Sequence, residues 1–327
     1  PHAPIHLYPF RDTWLDTIRI YNNVFDENGH FGMAINSGAE QTRDLRLANN
    51  IFSRNDRHGL HRQIRLTGGS PEQVRLASNV FTAMGLGTTV VTDYDRDLSV
   101  RALEEEAVRA DHGARYEGNL DVDPGYVDAG RYNHALREDS PLRDTGSFLT
   151  TARGAGEGTR LPVEDAAWFY SGYGIDGEQG DLIAIGTDGR RARVIETDDR
   201  GNTLLLDREL RWQDGDPVSL PWSGSAPDIG VYEHGDDGRV AVQVDVEPFR
   251  VQPGEEVTMR AIVHGEAEPA AIRWWLGDGN VAEGAEVTHR YAEEYDYPVI
   301  VRVTATDGRT YSGAGDAWVA EPVDPSL

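Results

Sequence analysis

The chain contains no cysteine and no lysine. Without cysteine, disulfides contribute nothing, and cysteine usage carries no signal about compartment. Without lysine, every basic side chain is an arginine or a histidine. The 31 arginines face 56 aspartates and glutamates, for a net charge of −25. So acidic a surface argues against nucleic acid as a partner. It suits a protein kept soluble by self-repulsion, as halophilic proteins are in high salt, or a genome poor in lysine codons. No apolar run approaches the roughly 20 residues of a membrane span. Nucleophile elbows, P-loops and dinucleotide fingerprints are also missing. The sequence starts at Pro1 with no initiator methionine or signal peptide, and it reads as processed or as a piece of a longer chain. What is present in quantity is turn chemistry: 36 glycines and 16 prolines in 327 residues. That composition fits an all-β chain of two or three domains.

One phrase recurs three times. Ile18, Ile20, Asn22, Asn23, Val24 and Phe25 return as Leu45, Leu47, Asn49, Asn50, Ile51 and Phe52, then as Val74, Leu76, Ser78, Asn79, Val80 and Phe81. The asparagines are spaced by 27 and then 29 residues. Self-similarity at such a period indicates a stacked repeat. Apolar residues at i and i+2 predict a strand with one face inward. The asparagine after it suits a tight turn. One strand per turn of the repeat, with Asn over Asn and Phe over Phe, buries each apolar face against its neighbours.

This pattern resembles the right-handed parallel β-helix proteins, the fold of pectate lyases and other glycan-active secreted proteins. The resemblance implies that Asn23, Asn50 and Asn79 form an asparagine ladder between the second and third sheets, and that Phe25, Phe52 and Phe81 stack inside. Further second strands are expected near residues 32–36, 59–66 and 86–91. Leu98 to Ala110 reads as a short helical excursion, after which the repeat resumes at Ala114, Tyr116 and Asn119. Three later phrases look like the closing signature of secreted β-helices: Asp123-Pro124-Gly125-Tyr126-Val127-Asp128, then Ser140-Pro141-Leu142-Arg143-Asp144-Thr145-Gly146, then Asp228-Ile229-Gly230-Val231-Tyr232-Glu233. They imply that the coils occupy residues 1–150 and are closed by 225–234.

Residues 151–224 differ in texture. Apolar segments at 181–185, 192–196, 203–207 and 217–220, separated by Gly/Asp turns, predict an inserted small β-barrel or meander. Past a linker at 236–238, Val240, Val242, Val244 and Val246 alternate strictly, as do Val299, Val301 and Val303. With Trp274-Trp275-Leu276-Gly277-Asp278-Gly279 and His289-Arg290-Tyr291, residues 240–321 resemble a PKD domain, an Ig-like β-sandwich. Leu276 stands where a phenylalanine is usual. Trp274 is the expected core residue.

The candidate chemistry lies between Asp56 and Leu66. Alternation that puts Ile64 and Leu66 inside turns His61, Gln63 and Arg65 outward. Asn36, Arg57 and His58 would lie beside them. A lyase acting on a uronate needs a base for the C5 proton, a role for His61. It also needs a cation on the carboxylate, a role for Arg65. Asn36, Gln63, His58 and Arg57 would then bind substrate. The alternative is a solvated polar sheet face. His58-x-x-His61 would share a metal only if a turn intervened. Asp93, Asp95 and Asp97 imitate a calcium loop, although Leu98 holds the place of its glycine, so Ca2+ is the one cofactor the sequence suggests; acidic turns are the alternative. Carboxylate pairs for inverting hydrolysis are not evident.

The resulting expectation is an extracellular or cell-surface protein that binds or processes a polysaccharide, as a lyase or a glycoside hydrolase if it is an enzyme. Its rival is a non-catalytic surface or matrix module that meets other cell-surface components.

Overall fold

The structure, a computed structural model, describes residues 5–9, 13–35, 41–56, 61–66, 74–85, 90–93, 96–103, 116–129, 133–175, 179–234, 240–248, 250–264 and 267–320. It is all-β with little helix. Residues 1–127 with 134–237 form one compact unit, and residues 128–133 with 238–327 form another.

In the first unit the repeat becomes short strands: β1 (Ile5–Leu7), β2 (Ile18–Tyr21), β3 (Val24–Asp26), β4 (Met33–Ile35), β5 (Leu45–Ala48), β6 (Ile51–Ser53), β7 (Arg62–Leu66), β8 (Val74–Ala77), β9 (Val80–Thr82), β10 (Val90–Asp93) and β11 (Arg96–Leu98). A single helical turn, α1 (Val100–Leu103), and β12 (Tyr116–Glu117) follow. They assemble into three sheets, ordered β2-β5-β8-β12, β3-β6-β9 and β1-β4-β7-β10-β11. All neighbours run parallel except β11, which returns antiparallel on β10. Equivalent positions of the phrase pair: Ile20 with Leu47 and Leu76, and Phe25 with Phe52 and Phe81. The phenylalanine rings stack at 4.6 and 5.1 Å between centroids.

The asparagines form a column in the bend between the first two sheets. Asn23 N and Nδ2 donate to Asn50 Oδ1 at 3.1 and 3.0 Å. Asn50 does the same to Asn79 Oδ1 at 3.1 and 2.9 Å, and Asn79 to Asn119 Oδ1 at 3.1 and 3.2 Å. Asn50 Nδ2 also donates to Ile20 O at 2.8 Å, and its side chain is fully buried. The left-handed backbone belongs to the residue before each rung: Asn22, Asn49 and Ser78 have φ of 54, 56 and 52°, and Gly118 has 63°. Asn, Ser and Gly pay least for that conformation.

The three phrases gather in space. Ser140 Oγ donates to Pro124 O at 2.6 Å, Asp144 N to Asp228 Oδ1 at 2.8 Å, and Ile229 N to Leu142 O at 3.1 Å. They lie against the outer face of β3-β6-β9, where Gly230 N donates to Asn49 O at 2.9 Å and Asn49 Nδ2 to Ser147 O at 2.8 Å. The reason is apolar surface: Ile51 and Val80 point away from the phenylalanine stack, yet both are fully buried. A sheet with apolar residues on both faces must be covered on both.

After β13 (Tyr126–Asp128) and β14 (Asn133–Leu136) come β15 (Thr150–Thr151), β16 (Gly156–Pro162), the 3-10 turn Ala166–Trp168, β17 (Leu182–Ile185), β18 (Arg190–Asp198), β19 (Thr203–Trp212) and β20 (Pro217–Ser219). The last six strands form an antiparallel sheet in the order β15-β20-β17-β18-β19-β16. A bridge from Ala152 to Val163 joins its two ends, so the sheet closes on itself around Leu161, Ile183, Val194, Leu204 and Trp212. Asp165 caps the 3-10 turn by accepting from Ala167 N at 3.1 Å. The same carboxylate meets Arg19 at 2.9 Å and Arg46 at 3.3 Å, and so ties the barrel to the outer face of β2-β5.

The second unit holds β21 (Ala241–Glu247), β22 (Arg250–Val251), β23 (Glu256–His264), β24 (Pro269–Trp275), β25 (Val281–Glu283), β26 (Glu286–Arg290), β27 (Tyr295–Ala305) and β28 (Thr310–Val319). They make two sheets, β21-β23-β26 and β22-β28-β27-β24-β25. Trp274 is completely buried among Val257, Met259, Val299, Val301 and Val303, and its Nε1 donates to Gly284 O at 2.8 Å. A buried indole needs that acceptor.

Candidate functional site

In the sheet β1-β4-β7-β10-β11, Met33, Ile35, Ile64 and Leu66 fill the interior with no exposure. Alternation turns Arg65 outward. Register then makes a row across the strands: His6, Ala34, Arg65, Thr92 and Asp97. Arg65 is exposed, and its guanidinium lies over the Phe31 ring at 5.7 Å. That cation–π contact orients the group without neutralising it. Among the described residues Arg65 has no carboxylate partner. At one end of the row the His6 ring packs edge-on to Tyr8, which is 67% exposed.

The other expected residues fare differently. Asn36, Arg57, His58 and Asp95 lie outside the described residues, as does the side chain of Asp93. The register sets Ala34, not Asn36, beside Arg65. His61 stands at the bend before β7 with φ of 56°, half-buried, and its Nδ1 is enclosed without a hydrogen-bond partner.

Gln63 does not point outward; its side chain is fully buried. Asn55 N and Nδ2 donate to Gln63 Oε1 at 3.2 and 3.0 Å, and Gln63 Nε2 donates to His61 O at 2.8 Å. This is a second amide column. Asn28 N and Nδ2 donate to Asn55 Oδ1 at 3.1 and 2.8 Å. Both asparagines sit three places after the stacked phenylalanine, where the next turn carries Met84. Methionine offers no amide oxygen, so Gln63 folds back to supply one. The spacing of Asn28 and Asn55 equals the repeat and was the available signal. Gly32 is pressed against this column: a Cβ there would lie 2.7 Å from Asn55 Nδ2.

At Asp97, Arg62 NH2 meets the carboxylate at 2.9 Å. A guanidinium in that place repels a cation. No cluster of three acidic or histidine side chains able to hold a metal occurs among the described residues.

An unexpected cluster lies under the strap formed by the closing phrases. The Asp26 carboxylate, 2% exposed, accepts from Arg54 Nε at 2.9 Å and Ser53 Oγ at 2.7 Å, and pairs with His134 Nε2 at 2.9 Å. The Tyr126 hydroxyl reaches Ser53 Oγ at 3.0 Å. Burial pushes the Asp26 carboxyl up, but hydrogen bonds from Arg54, His134 and Ser53 outweigh it and hold it below 3.8. Burial, helped by the Asp26 charge, raises the Tyr126 phenol. A carboxylate held ionised at neutral pH and a protonated phenol, both shut from water, tether the strap to β3 and β6. A polar residue follows each stacked phenylalanine in sequence, but nothing there indicates which distant partners it takes.

On the second unit, the outward face of β25-β24-β27 carries a cavity of about 630 Å³ lined by Arg273, Trp275, Glu283, Arg302 and Thr304. Arg273 and Arg302 are directly opposed in register, and each guanidinium lies 5.5 Å from the Trp275 ring centre.

Sequence comparison matches residues 241–318 to the PKD domain family. Residues 241–318 are a PKD domain. Solved structures resemble part of the chain. The PKD1 domain of Vibrio anguillarum Epp is 20% identical, covering 25% of this chain and 95% of that one, with a TM-score of 0.23. The PKD1 domain of the Vibrio cholerae metalloprotease PrtV is 19% identical, covering 25% and 99%, with a TM-score of 0.22. A carbohydrate-binding module of the β-sandwich superfamily is 21% identical, covering 28% and 36%, with a TM-score of 0.24. No curated protein matches the chain.

Proposed function

We propose that this is an extracellular or cell-surface protein that binds an acidic polysaccharide. In this reading residues 1–150, with 225–234, are closing coils of a right-handed parallel β-helix. Residues 151–224 are an inserted barrel, and the PKD domain lies within 240–321. The parallel ladders, the amide columns and the stacked phenylalanines support the β-helix reading.

The observation that carries the functional reading is Arg65. It is an exposed guanidinium held by Phe31, with no carboxylate partner among the described residues of a chain with net charge −25. A guanidinium matches a carboxylate with two parallel hydrogen bonds, so a uronate is the preferred ligand. Binding is favoured over processing because Gln63 is committed to the interior and the His61 Nδ1 is enclosed.

The test is a titration of the whole protein with polyuronates and neutral glycans at low and high salt, with ultraviolet detection of unsaturated chain ends. Polyuronate binding is expected, strengthened by salt that screens the general repulsion. Arg65→Ala should weaken it about tenfold. Unchanged binding in that variant, or no glycan bound at all, leaves a non-catalytic spacer module as the better description. Release of unsaturated ends would restore the lyase reading.

A further inference from the structure

Arginines are opposed in register at Arg273 and Arg302 and also at Arg19 and Arg46, but the latter two share the Asp44 and Asp165 carboxylates, for which Arg273 and Arg302 have no counterpart among the described residues. Like charges directly opposed on antiparallel strands destabilise a sheet. Elsewhere in the same unit Arg260, Arg290 and Arg309 are each within 3.1 Å of a carboxylate or closer. Arg273 and Arg302 have no carboxylate within ion-pair distance among the described residues, in a segment where acidic side chains are abundant. Even Glu283, the register partner of Arg273 and part of the same cavity wall, forms no ion pair with it.

The indole between them explains how the two cations are held. Each contributes a cation–π contact with Trp275, which holds the guanidinium near the ring while leaving its N–H donors unspent. Beside the cationic pair runs an apolar stripe in register: Val281, Trp275 and Ile300, with Val281 53% and Ile300 46% exposed. The face therefore offers two unneutralised forks of donors next to a flat apolar strip. A ligand that satisfies both halves has an anionic group and an apolar face on one rigid ring.

We propose that the outward face of β25-β24-β27 is a second glycan site, with Arg273 and Arg302 clamping the carboxylate or sulfate ester of an acidic sugar whose ring lies along Val281, Trp275 and Ile300. The proposal rests on the polysaccharide reading above for the class of ligand, but on none of the residues of the Arg65 row.

The two sites separate experimentally with short ligands. Oligosaccharides too short to bridge them, one uronate and one sulfated, are titrated calorimetrically into the full chain, beside a neutral oligosaccharide of equal length and inorganic sulfate. The wild type should bind at least one acidic oligosaccharide at two sites, and Arg273→Gln with Arg302→Gln should leave only the Arg65 site. Trp275→Ala should weaken the remaining affinity of the second site about tenfold, with a thermal melt to show that the fold persists. The uronate and sulfated arms identify which anion is preferred. Unchanged stoichiometry and affinity in the double-arginine variant overturns this proposal and leaves the Arg65 reading intact. Loss of all binding in Arg65→Ala alone also overturns it. Retention of one site in Arg65→Ala together with its loss in the double-arginine variant supports it. Inorganic sulfate bound as tightly as the oligosaccharide would deny the apolar strip any part and overturn it. So would a dimer in sedimentation that Arg302→Gln dissolves, since a second copy would then be the occupant.

Discussion

In the parallel stack the interior is partly made of amides. Asn50, Asn55, Gln63, Asn79 and Asn119 are all buried there, whereas in the PKD domain the buried polar side chain among the described residues is Gln243. The contrast follows from strand direction. In a parallel stack each bend residue has its own equivalent directly above and below, so an amide finds a partner that is a copy of itself. In the antiparallel sandwich, Trp274 faces side chains from unrelated positions, and an apolar core is the arrangement that leaves nothing unpaired. One region takes its register from repeated polar contacts, the other from the shape of a single large aromatic residue.

Three measurements can break or sharpen that contrast. The largest effect is expected from Trp274→Ala, which should cost the PKD unit roughly 3–5 kcal/mol and remove its transition from a calorimetric melt. The transition of the stack should be unmoved; a parallel fall in both would contradict the separation. Asn50→Ala should cost the stack roughly 2–4 kcal/mol, because Asn23 N and Nδ2 lose their acceptor and Ile20 O its donor. An unaltered melt would mean that water or another group replaces the rung. The smallest effect is electrostatic. Asp26 has a folded pKa below its ordinary value, so its stabilisation is complete above that value and is lost as pH falls through the folded one. Acid titration of the stack should therefore show a loss of stability below about pH 4 that Asp26→Asn diminishes. Identical acid profiles for the two proteins would remove Asp26 from that account.

The same contrast explains what the sequence disclosed. The asparagine column was legible because copies recur at a fixed period and each rung must be the same residue. Trp274 was legible because alternation and a glycine turn frame it. Gln63 was not, since alternation along a strand ignores the bend that precedes it; His61 at φ of 56° changes the chain's direction just before that residue. Arg65 was correctly placed outward, but Phe31, which holds it, lies on no strand row and so escaped notice. The cluster around Asp26 and the opposed Arg273 and Arg302 depend on which strands become neighbours, and side-chain type alone does not state that.

The column of asparagines also has a direction. Every side-chain oxygen in it accepts from the rung before and none from the rung after: Asn50 from Asn23, Asn79 from Asn50, Asn119 from Asn79. The amide dipoles therefore line up head to tail across the strands, as peptide dipoles do along a helix, and each polarises the next. The two ends of such a column are chemically unlike. A turn of chain stacked ahead of Asn23 would have to bring N–H donors to its oxygen, whereas at Asn119 the oxygen already accepts from Asn79 and Nδ2 donates to Leu76 O at 3.0 Å. The stack is thus a polar rod, and a segment joining it at Asn23 must match its sense.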